Sequence, residues 1–180
     1  MRTLFTSRCT LEPQVAEHAH EMFGVLSDPA IYQFENEPPA SEEWLAHRYA
    51  KLESRGSADG MQTWLNWVIR LPGGELAGYV QATVLKSGAA LVAYELASRH
   101  WRQGIGRSAL SAVLDELGVN YETQLYVAVL KSANFRSKGL LGSLGFAPAF
   151  AEQTSEFGAE ADETVMVKPA RGSHGAAQPS

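Results

Sequence analysis

The sequence predicts an α/β (α+β) fold in which a mixed, mostly antiparallel central sheet carries helices on both faces. Three observations predict it. Between Gln62 and Ala97, three runs rich in β-branched and aromatic residues follow one another across two short turns, Pro72-Gly73-Gly74 and Lys86-Ser87-Gly88, as in an antiparallel meander. Ahead of the meander, two segments repeat apolar residues at helical spacing. Behind it, the pattern runs helix, strand, helix, strand, which adds helices to both faces and makes the sheet mixed.

Each element has a local reason. Residues 3–11 read as a short strand, Leu4 and Leu11 flanking a polar middle. Pro13 suits the first turn of a helix that Val15, Ala19, Met22, Phe23 and Leu26 carry to Ser27. Asp28-Pro29 marks a turn, and Pro38-Pro39 keeps residues 30–40 irregular. Ser41 is placed as an N-cap, with Glu42 and Glu43 at the positive end of the dipole and Trp44, Leu45, Tyr49 and Leu52 as the apolar stripe to about Ser54. Residues 55–60 form a loop. The meander strands are Gln62–Leu71, Leu76–Leu85 and Ala89–Ala97. A helix opens at Gly104 and ends at Gly118 and Asn120. Leu125–Leu130 is a buried strand and Asn134–Leu144 a further helix. Phe146–Phe150 and Glu163–Lys168 are the last strands. Residues 1–168 make one domain, and the tail 169–180 has almost nothing to bury and is expected to be disordered.

Composition narrows the function classes. The only cysteine is Cys9, so neither an intrachain disulfide nor a thiolate metal cluster can form, which suits a cytoplasmic protein. The N-terminus lacks the apolar core of a signal peptide, and no run approaches the ~20 apolar residues of a membrane span. A net charge of -5 argues against sequence-independent nucleic-acid binding. No His, Asp or Glu set has metal-ligand spacing, so no metal is expected.

The segment Ser98–Leu110, SRHWRQGIGRSAL, carries the chemistry. Gly104 and Gly106 open a helix between Arg102 and Arg107, and a glycine-rich helix N-terminus is an anion site, most often for phosphate. A dinucleotide is one candidate, since Gly104-Ile105-Gly106-Arg107-Ser108-Ala109 fits the loose glycine fingerprint. Its context argues against a dehydrogenase. Ser98–Gln103 separate the strand from the first glycine, and Lys131 stands where a ribose-binding acid would end the next strand. No Gly-Lys-Ser/Thr follows, which removes a nucleotide P-loop.

Two motifs carry a resemblance. Tyr94-Glu95-Leu96 is followed by His100-Trp101-Arg102-Gln103-Gly104-Ile105-Gly106, and after an intervening strand come Asn134-Phe135-Arg136-Ser137, Leu141 and Leu144-Gly145-Phe146. In this order they resemble the GNAT acetyltransferase superfamily, and within it the ribosomal-protein-alanine N-acetyltransferase-like branch. The usual Gln or Arg three residues before the first glycine is Trp101 here, a bulky choice that this branch often makes. The resemblance implies acetyl-CoA as donor. The N–H groups of Gln103, Gly104, Ile105, Gly106, Arg107 and Ser108 would wrap the pyrophosphate, with Arg102 and Arg107 adding charge. It also implies that the strand ending at Leu96 splays from Leu125–Leu130, and that the pantetheine arm lies there against the backbone of Leu96. Asn134, Ser137 and Leu141 share a helix face that can present an amide and a hydroxyl to that arm. Gly139 and Gly142, costly inside a helix, suggest that something packs close against it.

Acetyl transfer to an amine requires a base, a polarised carbonyl, a stabilised oxyanion and an acid for the thiolate. The resemblance implies direct transfer in a ternary complex, places Ser137 as the acid, and puts Glu156 at about the distance past Gly145-Phe146 where related enzymes carry a glutamate base. Glu95 is the rival base, because a carboxylate between Ala93 and Ala97 in a central strand is partly desolvated. Cys9 is expected to be structural. The expected acceptor is a primary amine, either a peptide or protein N-terminus or a small molecule, and relatives often form homodimers. The alternative is a coenzyme-A-binding sensor or assembly domain without turnover. Specificity is expected in the loops 30–40, 55–60 and 147–162.

Overall fold

The alternation in Gln62–Arg70 sorts side chains to two faces: Leu65, Trp67 and Ile69 enter one apolar core, and Val68 enters another. The structure, a computed structural model, describes residues 1–34 and 37–170. Its strands are β1 (Leu4–Phe5), β2 (Thr10–Pro13), β3 (Gln62–Arg70), β4 (Leu76–Leu85), β5 (Ala89–Leu96), β6 (Leu125–Lys131), β7 (Ala147–Pro148) and β8 (Glu163–Pro169). They form one eight-stranded sheet in the order β1-β2-β3-β4-β5-β6-β8-β7. Every pairing is antiparallel except β5 with β6, so the sheet is mixed and mostly antiparallel as the sequence predicts.

The helices are α1 (Ala19–Leu26), α2 (Glu42–Leu52), α3 (Ile105–Asn120), α4 (Phe135–Ser143) and α5 (Ala151–Glu156). α1 and α2 cover one face, where Met22, Val25, Leu45 and Tyr49 meet Val68 and Leu76. α3 covers the other with Ala109, Leu110, Val113 and Leu117, all fully buried. Fully burying an aliphatic side chain contributes about 1.5–3 kcal/mol, and truncating one such as Leu110 to alanine costs about 2–5 kcal/mol. Ser41 caps α2, its hydroxyl accepting the Trp44 N–H at 3.1 Å.

Several boundaries differ from the expectation. Pro13 closes β2 opposite Trp67 rather than opening a helix, and a 3-10 turn, Ala16–His18, precedes α1. The single strand expected over 3–11 is two strands joined by a turn in which the Thr6 hydroxyl accepts the Arg8 and Cys9 N–H groups. Gly118 lies inside α3, which ends at Asn120. The strand expected over Phe146–Phe150 shrinks to Ala147–Pro148, because Phe150 turns the chain into α5 with its N–H donated to Gln153 Oε1. β8 runs to Pro169, and Ala170 is buried with its N–H on the Gln124 carbonyl, so two residues expected in the tail belong to the packed chain. The rest of the expected tail, 171–180, lies outside the described residues. Among the described residues no helix is long and apolar enough to cross a membrane.

Candidate functional site

The anion loop forms as its glycines require. Gly104 is the N-cap of α3 with φ 76°, and Arg102 before it also adopts a left-handed backbone, φ 61°. A side chain at Gly104 would be strained, and its first carbon would lie 3.2 Å from Nε of Arg8, which reaches in from the turn between β1 and β2. Arg8 is therefore a third guanidinium beside Arg102 and Arg107. The first N–H groups of α3 have no partner inside the helix and sit at its positive end. Arg102, Gly104, Ile105, Gly106 and Arg107 line a cavity of about 590 Å³. Two residues expected here do not line it. The Gln103 side chain turns back to the Arg99 carbonyl at 2.9 Å, and the Ser108 N–H is spent on the Gly104 carbonyl at 3.0 Å, as the helix's own geometry demands.

The cavity continues into a gap in the sheet. β5 and β6 pair only at Ala89, Ala90 and Leu91 with Leu125, Tyr126 and Val127. Beyond that point Val92–Leu96 and Ala128–Leu130 line the two sides of the cavity. β5 stays bonded to β4 along its other edge, and a side chain at Gly78 of β4 would overlap the Glu95 carbonyl, so glycine allows this close approach. The free edge of β5 thus offers backbone groups to an extended ligand. One is already engaged, because the Trp101 indole donates to the Leu96 carbonyl at 2.7 Å. The Trp101 ring in turn carries the Arg136 guanidinium 4.4 Å from its centroid.

α4 supplies the cavity's remaining wall, with Asn134, Ser137 and Leu141 lining it together as their spacing predicts. Asn134 is first of all the N-cap of α4: its side-chain oxygen accepts the Ser137 N–H at 3.1 Å, leaving its amide N–H groups for a ligand. Gly139 and Gly142 meet nothing within 4 Å, so the close packing expected there is absent. The tight contact falls instead at Gly106 of α3, where a side chain would crowd Leu140 at 3.2 Å. Tyr94 of β5 faces the same space. Its hydroxyl is buried with no partner in hydrogen-bonding geometry. Burial pushes its pKa up to about 12, while the neighbouring Ser137 hydroxyl pulls the other way.

The candidate bases separate clearly in position. Glu95 is partly buried and lines the large cavity; its charge raises the pKa values of Tyr32, Tyr79 and Tyr94, adding to what burial does to each. Glu156 stands exposed at the end of α5 and is not among the cavity's lining residues. Cys9 is buried in the core, and burial pushes its thiol up, away from nucleophile chemistry. His100 is buried beside the cavity, with Nε2 3.7 Å from Glu75.

A second cavity, of about 220 Å³, lies between α1, α2 and the sheet. Arg48, Tyr79, Gln81 and Glu95 line both cavities, so Glu95 marks their junction. Tyr79 lies opposite Glu95 in the β4–β5 register, and Gln81 is two residues along, so the three share one sheet face. Tyr94 belongs to the opposite face, toward α4. Sequence reasoning did not single out Tyr79, Gln81 or Arg48, although period-two alternation around Glu95 would have found the first two once the register was known. Among the described residues no cluster of His, Cys, Asp or Glu is placed to hold a metal ion.

Comparison with known proteins agrees with this geometry. Residues 8–147 match the family model of the acetyltransferase (GNAT) domain. An uncharacterized N-acetyltransferase p20 of Bacillus licheniformis is 24% identical over 154 residues, 78% of this chain and 86% of that protein. The fold is similar to the ribosomal-protein-S5-alanine acetyltransferase of Vibrio fischeri, with TM-score 0.78 and 16% identity over 96% of this chain and 98% of that one. It is equally similar to RimL, a ribosomal L7/L12 α-N-protein acetyltransferase in complex with coenzyme A, at TM-score 0.78 and 16% identity over 93% and 98% of the two chains.

Proposed function

This chain belongs to the acetyltransferase (GNAT) family, and we propose that it moves an acetyl group from acetyl-CoA to a primary amine by direct transfer. One observation carries the reading: a single cavity, opened where β5 and β6 part, is lined both by the N-terminus of α3 and by Glu95. The residues present fit coenzyme A. Arg8, Arg102 and Arg107 with the first N–H groups of α3 suit its phosphates, and the free edge of β5 and the Asn134 amide suit its amide-bearing arm. Bound there, acetyl-CoA supplies an acyl carbon activated as a thioester.

The chain's own groups divide the remaining work across the free edge of β5. Glu95, on the face toward α1 and α2, takes a proton from the incoming ammonium, so that nitrogen can attack. Ser137, on the side of α4, gives a proton to the sulfur as the C–S bond breaks; the second proton that the nitrogen sheds on becoming an amide restores the Ser137 hydroxyl, and Glu95 later releases its own proton to solvent. Glu95 is preferred to Glu156 as base because it lines both cavities. The products are an amide and a free thiol, which makes the test direct. The protein is incubated with acetyl-CoA and a library of primary amines, and thiol release is followed together with a 42 Da mass gain on the amine (roughly one acetyl group replacing a hydrogen). Release that depends on an amine supports the reading; acetyl-CoA binding with no turnover on any amine would instead support a sensor or assembly domain.

A further inference from the structure

The second cavity indicates what kind of amine is taken, an inference that rests on the transferase reading above. We propose that the cavity between α1, α2 and the sheet holds the side chain of an acceptor of the α-amino-acid type, either a free amino acid or a chain N-terminus, with a large aromatic side chain ending in a polar atom.

Size comes first. At about 220 Å³ the cavity is smaller than the ~300–1,000 Å³ typical of whole-ligand sites, so it suits one side chain rather than an entire small molecule. The aromatic part of its wall is Tyr32, Tyr49 and Tyr79 with Trp44 at the exposed rim, and Gln14, Glu37 and Gln81 add polar groups. Ring walls favour a ring, by edge and face contacts that add to burial.

Polarity comes second. The Tyr32 hydroxyl is satisfied, donating to the Leu26 carbonyl at 2.7 Å. That of Tyr49 is not. Tyr49 is 4% exposed, and its hydroxyl is buried with no partner in hydrogen-bonding geometry, although the Gln14 carboxamide is near enough to oppose the rise in pKa that burial causes. The Gln14 carboxamide, which also lines the cavity, is the polar group beside Tyr49 that a side chain ending in a hydroxyl or an indole N–H would meet.

Charge comes third. Glu95 at the junction receives the amine, and Arg48, which lines both cavities with its guanidinium 5.7 Å from the Trp44 ring centroid, stands where the neighbouring carboxylate or amide carbonyl of an α-amino compound would lie.

The test uses the full chain, saturating acetyl-CoA and thiol release. One arm offers free tyrosine, tryptophan, phenylalanine and alanine; the other offers tripeptides that begin with each residue and are otherwise the same. Expected is a kcat/KM at least about ten-fold higher for the tyrosine and tryptophan acceptors than for alanine in one arm, that arm identifying the source. Gln14→Leu removes the carboxamide that lines the cavity and is expected to shrink the preference for tyrosine over phenylalanine. Trp44→Ala, at an exposed position that the fold tolerates, is expected to lower kcat/KM for aromatic acceptors more than for alanine. Equal or better use of alanine, or variants that lower all acceptors by the same factor, would overturn the aromatic assignment and leave the transferase reading standing. Failure of every acceptor in both arms while another amine of the library is acetylated would overturn the assignment alone, and failure of the library as well would overturn both.

Discussion

The two halves of the site are built from different materials. The half proposed to hold the donor consists largely of backbone: the first N–H groups of α3, the turn through Arg102 and Gly104, and the edge of β5 that faces away from β4. The half proposed to hold the acceptor consists of side chains drawn from α1, α2, the segment before α2 and one face of β4 and β5. A site made of backbone tolerates broad sequence change provided its few glycines remain. A site made of side chains can be rewritten without touching the fold. At 16% identity this chain shares the fold of two acetyltransferases.

The sharpest way to break the donor half is at its glycine. Gly104→Val puts a β-branched residue at φ 76° and against Arg8, and left-handed backbone alone costs an ordinary residue about 1–2 kcal/mol. Acetyl-CoA affinity is expected to fall by about ten-fold or more, read by calorimetric titration, with the melting temperature also lowered. Unchanged affinity would mean that the turn does not hold the donor. Charge contributes less. Arg102→Ala and Arg107→Ala are expected to weaken acetyl-CoA binding by about two- to ten-fold each, with the loss fading as salt rises, because both side chains are exposed and screened.

A smaller effect is expected where the two halves are tied together. Asp28, which opens the 3-10 turn Pro29–Tyr32, accepts the Ser98 N–H at 2.7 Å and the Ala30 N–H at 3.0 Å. Burial alone would raise its carboxyl, but the Ser98 hydroxyl together with these N–H groups outweighs burial and holds it below the ordinary aspartate value. A folded pKa below the unfolded one stabilises fully above the unfolded value and is lost as pH falls through the folded one. Asp28→Asn is therefore expected to cost about 1 kcal/mol at neutral pH and to flatten the loss of stability in acid below about pH 4. Urea unfolding at pH 7 and pH 3 measures both, and an equal cost at the two pH values would contradict the account. Trp101→Phe is expected to do least. It keeps a ring for Arg136 but removes the indole bond to Leu96, at about 0.5–1.5 kcal/mol in the same unfolding measurement.

The contrast between the halves also explains what the sequence revealed. The meander, the helix opening at Gly104 and the face shared by Asn134, Ser137 and Leu141 are local patterns, and all three stand in the structure. Glu95 was legible because a carboxylate among apolar neighbours in a strand is conspicuous. The misses depend on distance along the chain. Arg8 reaches Gly104 from the far edge of the sheet, and Arg48 and Tyr49 share a cavity with Glu95 only through the way α2 lies on β4 and β5. Asn134 was read for its amide, but its oxygen is committed to capping α4. Gly139 and Gly142 suggested a close approach that falls at Gly106, because α3 and α4 meet on a surface that no sequence spacing reports.

The central claim is that donor binding and amine activation are separate tasks, with Glu95 belonging to the second. Glu95→Gln keeps the shape and removes the base. Titration with acetyl-CoA and turnover on an accepted amine, measured on the same preparation, test it most directly. The account predicts a dissociation constant for acetyl-CoA within about two-fold of the parent and a kcat lower by about 10²–10⁴. Undiminished turnover in that variant would contradict it.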